Sequence, residues 1–184
     1  MSYTIKLAET GQEYLGIRRL NHRTFASELG QHETTADELL ADRFEHKSRY
    51  IISLHDSEVI GMVAIHDQPP FSIAQRLPDA SLLDRIAGRK LEVRLLAIDP
   101  AHRNRMVFAG LLGTMISLAM SEGYEVLLIS GVTGRVSIYR RFGFTPLGPP
   151  VPSGKASYIP MLLRIGELPE KIRKDIGRWR RRRR

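Results

Sequence analysis

A chain of 184 residues with 42% apolar and 26% charged residues has the length and composition of one globular α/β domain. It contains no cysteine, which excludes a disulfide framework, a thiolate metal site, an iron–sulfur cluster and a cysteine nucleophile together. The net charge of +8 belongs to the C-terminus: Arg178 and the arginines at 180–184 hold six positive charges, and without them the balance is +2.

A near-neutral body argues against nucleic acid as the main partner, and the arginine tail suits contact with anionic surfaces. No run approaches the roughly 20 apolar residues of a membrane span. The first residues lack the basic-then-apolar layout of a signal peptide, so the cytoplasm is the expected compartment. Residues 3–7 alternate as an edge strand does. Apolar residues at Tyr14, Ile17, Leu20, Phe25 and Leu29 predict a helix over 12–29, stopped by Gly30. Thr34, Thr35 and Asp37 offer N-caps for a second helix to about Glu45. A hairpin follows, residues 50–54 and 59–65 around a turn at His55, Asp56 and Ser57.

Pro69 and Pro70 break the chain, and 72–87 reads as loop and short helix. Residues 91–98 predict a strong strand closed by Asp99 and Pro100. An apolar stripe at Phe108, Leu111, Leu112, Met115 and Leu118 predicts a helix over 105–122 with Gly123 as its stop. The unbroken apolar run 126–129 marks a strand buried on both faces. A helix over 135–142 ends at Gly143, and two strands, 144–147 and 156–163, flank a loop with Pro149, Pro150 and Pro152. From Leu168 the chain is a basic helix or tail. The expected organisation is one domain over 1–166 and a C-terminal segment over 167–184.

The stretch from Glu92 to Gly148 carries the chemistry. Leu96, Ala97 and Ile98 end a strand, Pro100 and Arg103 follow, Leu111 and Leu112 lie on the next helix, and Tyr139, Gly143 and Phe144 come later. This order and spacing resembles the GNAT superfamily of acyltransferases. The resemblance implies a mixed α/β sheet of six or seven strands, helices on both faces, and two central parallel strands, 91–98 and 126–129, that splay apart at their C-terminal ends. It also implies acyl transfer from a thioester, acyl- or acetyl-coenzyme A or an acyl-phosphopantetheine, to the primary amine of a small molecule such as an amino acid. Backbone groups of Leu96, Ala97 and Ile98, with the loop Arg103, Asn104, Arg105, Met106, Val107 and Phe108, would hold the donor.

One departure stands out. Met106 and Phe108 occupy the positions where the family carries glycines that let a helix N-terminus approach pyrophosphate. The loop therefore binds coenzyme A in a shifted way, or takes a single phosphodiester from a carrier protein, or is inactive. The run from Ile17 to Gly30 is similar to the opening of N-acyl amino acid synthases and acyl-homoserine-lactone synthases. That makes an acyl carrier protein a candidate partner. Arg94 stands where those enzymes usually have a small polar residue.

Amide formation needs a deprotonated amine, a stabilised oxyanion and a protonated leaving thiolate. The resemblance points to Glu92 as base and Tyr139 as acid. Glu92 also has a structural reading as the ion-pair partner of an arginine, and Tyr139 as a core aromatic. The six histidines show no ligand spacing, so no metal is expected. The competing reading is a degenerate module that senses acyl thioesters without releasing thiol.

Overall fold

The computed structural model describes residues 3–154 and 156–181, which form two compact units. The first unit comprises residues up to Ile65 and Leu95–Met115. Its strands are β1 (Thr4–Leu7), β2 (Arg49–His55) and β3 (Glu58–His66, as far as Ile65), paired antiparallel from Thr4↔Leu54 and from Arg49↔Ile65. Asp56 and Ser57 both have positive φ, 48° and 67°, the two-residue turn whose twist matches that of the flanking strands. Helix α1 (Gly11–Asn21) starts in a capping box: Thr10 Oγ1 accepts from the Glu13 amide at 3.2 Å, and Glu13 Oε2 accepts from the Thr10 amide at 3.0 Å. Beyond Asn21 the chain continues as a wider π-helical turn over His22–Glu28, so the long predicted helix exists with a change of winding.

The predicted helix over 34–45 does not form. Its capping residues bond locally instead: Asp37 Oδ1 accepts from the Leu39 amide, and the Thr35 hydroxyl donates to the Leu39 carbonyl. The segment is also tied to α1. The Thr35 amide donates to His22 Nε2, the Leu40 amide to the Arg18 carbonyl, and Asn21 Nδ2 to the Leu40 carbonyl at 2.7 Å. The core of this unit is Ile17, Leu20, Tyr50, Ile52, Met62, Ala64 and Ala97. At Gly61 a side chain would meet Leu111 and Val107 at 3.1 and 3.2 Å, so the absence of one lets helix α3 (Arg105–Ser121) lie close on β3.

Strand β4 (Lys90–Ile98) changes unit along its length, with residues 90–94 in the second. That unit, His66–Arg94 and Ile116 onward, holds β5 (Val126–Val132), β6 (Thr145–Pro146), β7 (Val151–Ser153) and β8 (Ala156–Arg164). It also holds α2 (Leu82–Arg85), α4 (Val136–Arg141) and α5 (Glu170–Arg181). β5 and β8 pair antiparallel from Val126↔Arg164 to Val132↔Tyr158, and β6 and β7 add to β8. β7 forms inside the proline loop and brings the strands among the described residues to eight, where six or seven were expected. β4 and β5 are parallel neighbours, as expected, from Lys90↔Val126 to Val93↔Ile129. The ladder ends there, although β4 runs on to Ile98 and β5 to Val132. Just past the last pair, Leu95 has φ 50°, a left-handed turn of the backbone within the strand. Ile73, Leu83, Ile86, Val126 and Leu128 form this unit's core, with Phe71 and Leu77 against it.

Candidate active site

Tyr139 lies on α4, which follows β5 through a short turn at Thr133–Arg135. Its ring rests on the backbone of β5 because residue 131 is glycine. A Cβ at Gly131 would come within 2.7 Å of Tyr139 Cδ2 and Cε2. Burial pushes the phenol above its ordinary value of 10.0, against smaller opposing effects of a hydrogen bond from the Val132 backbone and of the Arg135 charge. The hydroxyl is therefore a proton donor at neutral pH. Tyr158, paired with Val132 across the sheet, carries the Arg76 guanidinium over its ring at 4.8 Å.

Glu92 is fully buried, and its carboxylate is surrounded by donors. The Ser72 amide donates to Oε2 at 2.8 Å, the Ser72 hydroxyl to Oε1 at 2.8 Å, and the Ile73 amide to Oε1 at 2.7 Å. His66 Nε2 lies 2.7 Å from Oε2. His66 Nδ1 is 3.1 Å from the Gln68 carbonyl. The imidazole stacks on Phe71 at 5.6 Å. Burial is the largest single influence on Glu92 and raises its pKa. The bonds from His66, Ser72 and Ile73 act the other way, together outweigh it and hold the carboxyl below its ordinary 4.5. Glu92 thus anchors the first turn of the segment Ser72–Arg76, as a carboxylate at a helix start does. Arg94 does not pair with Glu92 directly: its Nε donates to Ser72 Oγ at 3.1 Å.

The expected donor-binding residues lie in the first unit. Leu96 is exposed, Ala97 is buried in the core and Ile98 is half-buried. Arg103 Nε donates to the Ile98 carbonyl at 3.0 Å, and its guanidinium pairs with Glu28. Asp99 accepts from the Ala101 amide at 2.9 Å and pairs with Arg23. Asn104 caps α3: its Oδ1 accepts from the amides of Met106 and Val107, both at 3.0 Å, and its Nδ2 donates to Tyr3 Oη at 3.1 Å. Arg105 is exposed, Val107 is buried and Phe108 is half-buried. Met106 is 65% exposed, and Asn104 occupies its amide and that of Val107. An open depression of about 450 Å³ is lined by Tyr3, Asn104, Arg105 and Met106.

Sequence reasoning missed His66 and Ser72. Both lie 20 or more positions from Glu92 with no local pattern to tie them to it. The Asn104 cap had a readable signal, an Asn directly before the apolar stripe. Among the described residues no group of His, Asp and Glu could hold a metal ion, and no helix is long and apolar enough to cross a membrane.

Residues 16–165 match the N-acyl amino acid synthase FeeM family. The chain belongs to that family. It is an acyltransferase with a GNAT-like fold that moves an acyl group from an acyl donor to an amine. No curated protein sequence matches it. Solved structures share the fold at low identity. The structure of FeeM, an N-acyl amino acid synthase from uncultured soil microbes, superposes with a TM-score of 0.74 at 17% identity, covering 90% of this chain and 92% of that one. The CoA-dependent acyl-homoserine lactone synthase BjaI, with SAM and isopentyl-CoA, gives 0.76 at 15% over 97% and 90%. An N-acetyltransferase from Staphylococcus aureus Mu50 gives 0.63 at 17% over 90% and 99%.

Proposed function

We propose that this synthase-family protein forms an amide between a thioester-borne acyl group and the amine of a small carboxylic acid of the amino-acid class. The donor is an acyl group on coenzyme A or on the phosphopantetheine of an acyl carrier protein. Family membership supports the acceptor class, and the CoA-dependent relative supports coenzyme A as a carrier. Donor recognition is assigned to the segment from Leu96 to Phe108.

The observation that carries the chemistry is the protonated, half-buried Tyr139 on its glycine seat. The amine nitrogen attacks the thioester carbon, the tetrahedral adduct collapses and the C–S bond breaks. The departing sulfur takes the phenolic proton, and the proton shed by nitrogen passes to water, from which the phenolate is restored. Glu92 receives a holding task in this scheme, because its oxygens already accept from Ser72 and Ile73 and face His66. The amine enters as the free base.

Incubation with dodecanoyl-CoA or dodecanoyl carrier protein and a mixture of amino acids tests this. Thiol titration and mass spectrometry should show one thiol released per N-dodecanoyl amino acid formed. Tight donor binding with no thiol release in the presence of any amine would make the protein a sensor of acyl thioesters instead.

A further inference from the structure

Beside the first turn of α3 lies the open depression of about 450 Å³, within the range of roughly 300–1,000 Å³ that small-molecule sites occupy. Its lining joins two kinds of surface: Tyr3 and Met106 are largely apolar, Asn104 and Arg105 polar. The Tyr3 ring is held from several sides. His55 packs on it at 5.4 Å between ring centroids, His102 meets it edge-on at 6.2 Å, and Tyr3 Oη accepts from Asn104 Nδ2 at 3.1 Å. The two imidazoles lie 5.1 Å from each other, so the phenol stands on an aromatic base. A ring fixed in this way is a stacking platform that loses little freedom when a ligand covers it.

Arg105 differs from the arginines around this loop. Arg23 is paired with Asp99 and Arg103 with Glu28, whereas Arg105 is exposed and has no carboxylate against it among the described residues. The Met106 and Val107 amides are taken by Asn104 Oδ1, so the positive charge that the depression offers is that of Arg105. A platform with a cation beside it suits a flat, anionic ligand, in which a base stacks and a phosphate pairs. Of the two donors considered above, coenzyme A has both groups. The phosphopantetheine arm of a carrier protein has a phosphate and no base.

We propose that this depression takes the phosphoadenosine end of coenzyme A, with Tyr3 stacking on the base and Arg105 pairing with phosphate, so that the enzyme uses acyl-CoA in preference to an acyl carrier protein. This rests on the acyl-transfer reading above and selects between its two donors.

The test uses binding, so it does not depend on turnover. Adenosine 3′,5′-bisphosphate and inorganic pyrophosphate are titrated calorimetrically into the full-length protein. The wild type is expected to bind the nucleotide at least 10-fold more tightly than pyrophosphate. Tyr3→Ala should bring the two within about 2-fold, and Tyr3→Phe should keep the preference. Arg105→Glu should weaken both ligands by about 10-fold at an unchanged melting temperature, which keeps the test decisive if Tyr3→Ala disturbs folding. Dodecanoyl-CoA should displace the bound nucleotide, and dodecanoyl-phosphopantetheine should not. No binding of the nucleotide, no preference over pyrophosphate, or unchanged binding in Arg105→Glu would overturn the proposal. A bound nucleotide that dodecanoyl-CoA fails to displace would mark a site for a free nucleotide and overturn it equally. Selective binding by a protein that releases no thiol with any amine would leave a coenzyme A site and remove the acyl-transfer scheme. Thiol release from dodecanoyl carrier protein without nucleotide binding would do the reverse.

Discussion

Tyr139 and Glu92 show how the same prior expectation, a catalytic proton carrier, meets two different environments. Tyr139 is half-buried with a raised pKa, so it keeps its proton across the physiological range. Tyr139→Phe is expected to lower kcat by roughly 100- to 10,000-fold with little change in KM for the acceptor, since only the proton is lost. The alkaline limb of the wild-type kcat profile should lie above pH 10, and steady-state kinetics across pH should show it absent in the variant. Glu92 has its acceptor capacity filled. Glu92→Gln puts an amide NH2 among the Ser72 and Ile73 donors and leaves a buried donor unsatisfied, so this volume-conserving change is expected to destabilise the protein by about 1–3 kcal/mol in denaturant unfolding. The folded pKa is depressed, so Glu92 stabilises the fold above its ordinary value near 4.5, and that stability is lost as pH falls through the lower folded value. Below that range the variant and wild-type stability curves should converge. The sequence showed Glu92 and Tyr139 at matching positions. It did not show that Glu92 is occupied, because the groups against it come from a segment around residues 66–73 whose approach only the fold creates.

Among the elements, those with strong periodicity were legible. The strands β2 to β5 and helix α3 lie where alternation, unbroken apolar runs and the 3.6-residue stripe put them. The segment over 34–45 failed for a physical reason. Asp37 takes the Leu39 amide and Thr35 the Leu39 carbonyl, while α1 offers Leu40 the Arg18 carbonyl and the Asn21 side-chain amide as alternative partners. β7 escaped notice because prolines argue against strands, yet at an edge a proline costs no ladder bond. Asn104, expected as a donor-binding residue, also caps α3. Asn104→Ala should destabilise the protein by about 0.5–2 kcal/mol, read as a lower melting temperature, because the Met106 and Val107 amides lose their acceptor.

At the level of the whole molecule, the excess positive charge is confined to the end of the chain. Deleting residues 180–184 removes five positive charges from a net of +8. The expected result is an unchanged melting temperature and unchanged kcat/KM with acyl-CoA, with loss of retention on anionic lipid vesicles in a sedimentation assay at low salt. Loss of acyl-CoA turnover would assign the arginines to the reaction itself.

The seat beneath Tyr139 also ties together the histories of two positions. With Cδ2 and Cε2 within 2.7 Å of where a Cβ would stand, even alanine at 131 displaces the ring. A glycine there is therefore tolerated alone, but any larger residue requires a smaller partner at 139 first, which removes the phenol. Saturation mutagenesis of both positions together should show sign epistasis: paired changes that restore folding, none that restore acyl transfer. The proposed proton donor is in that sense guarded by an atom that is missing from the strand below it.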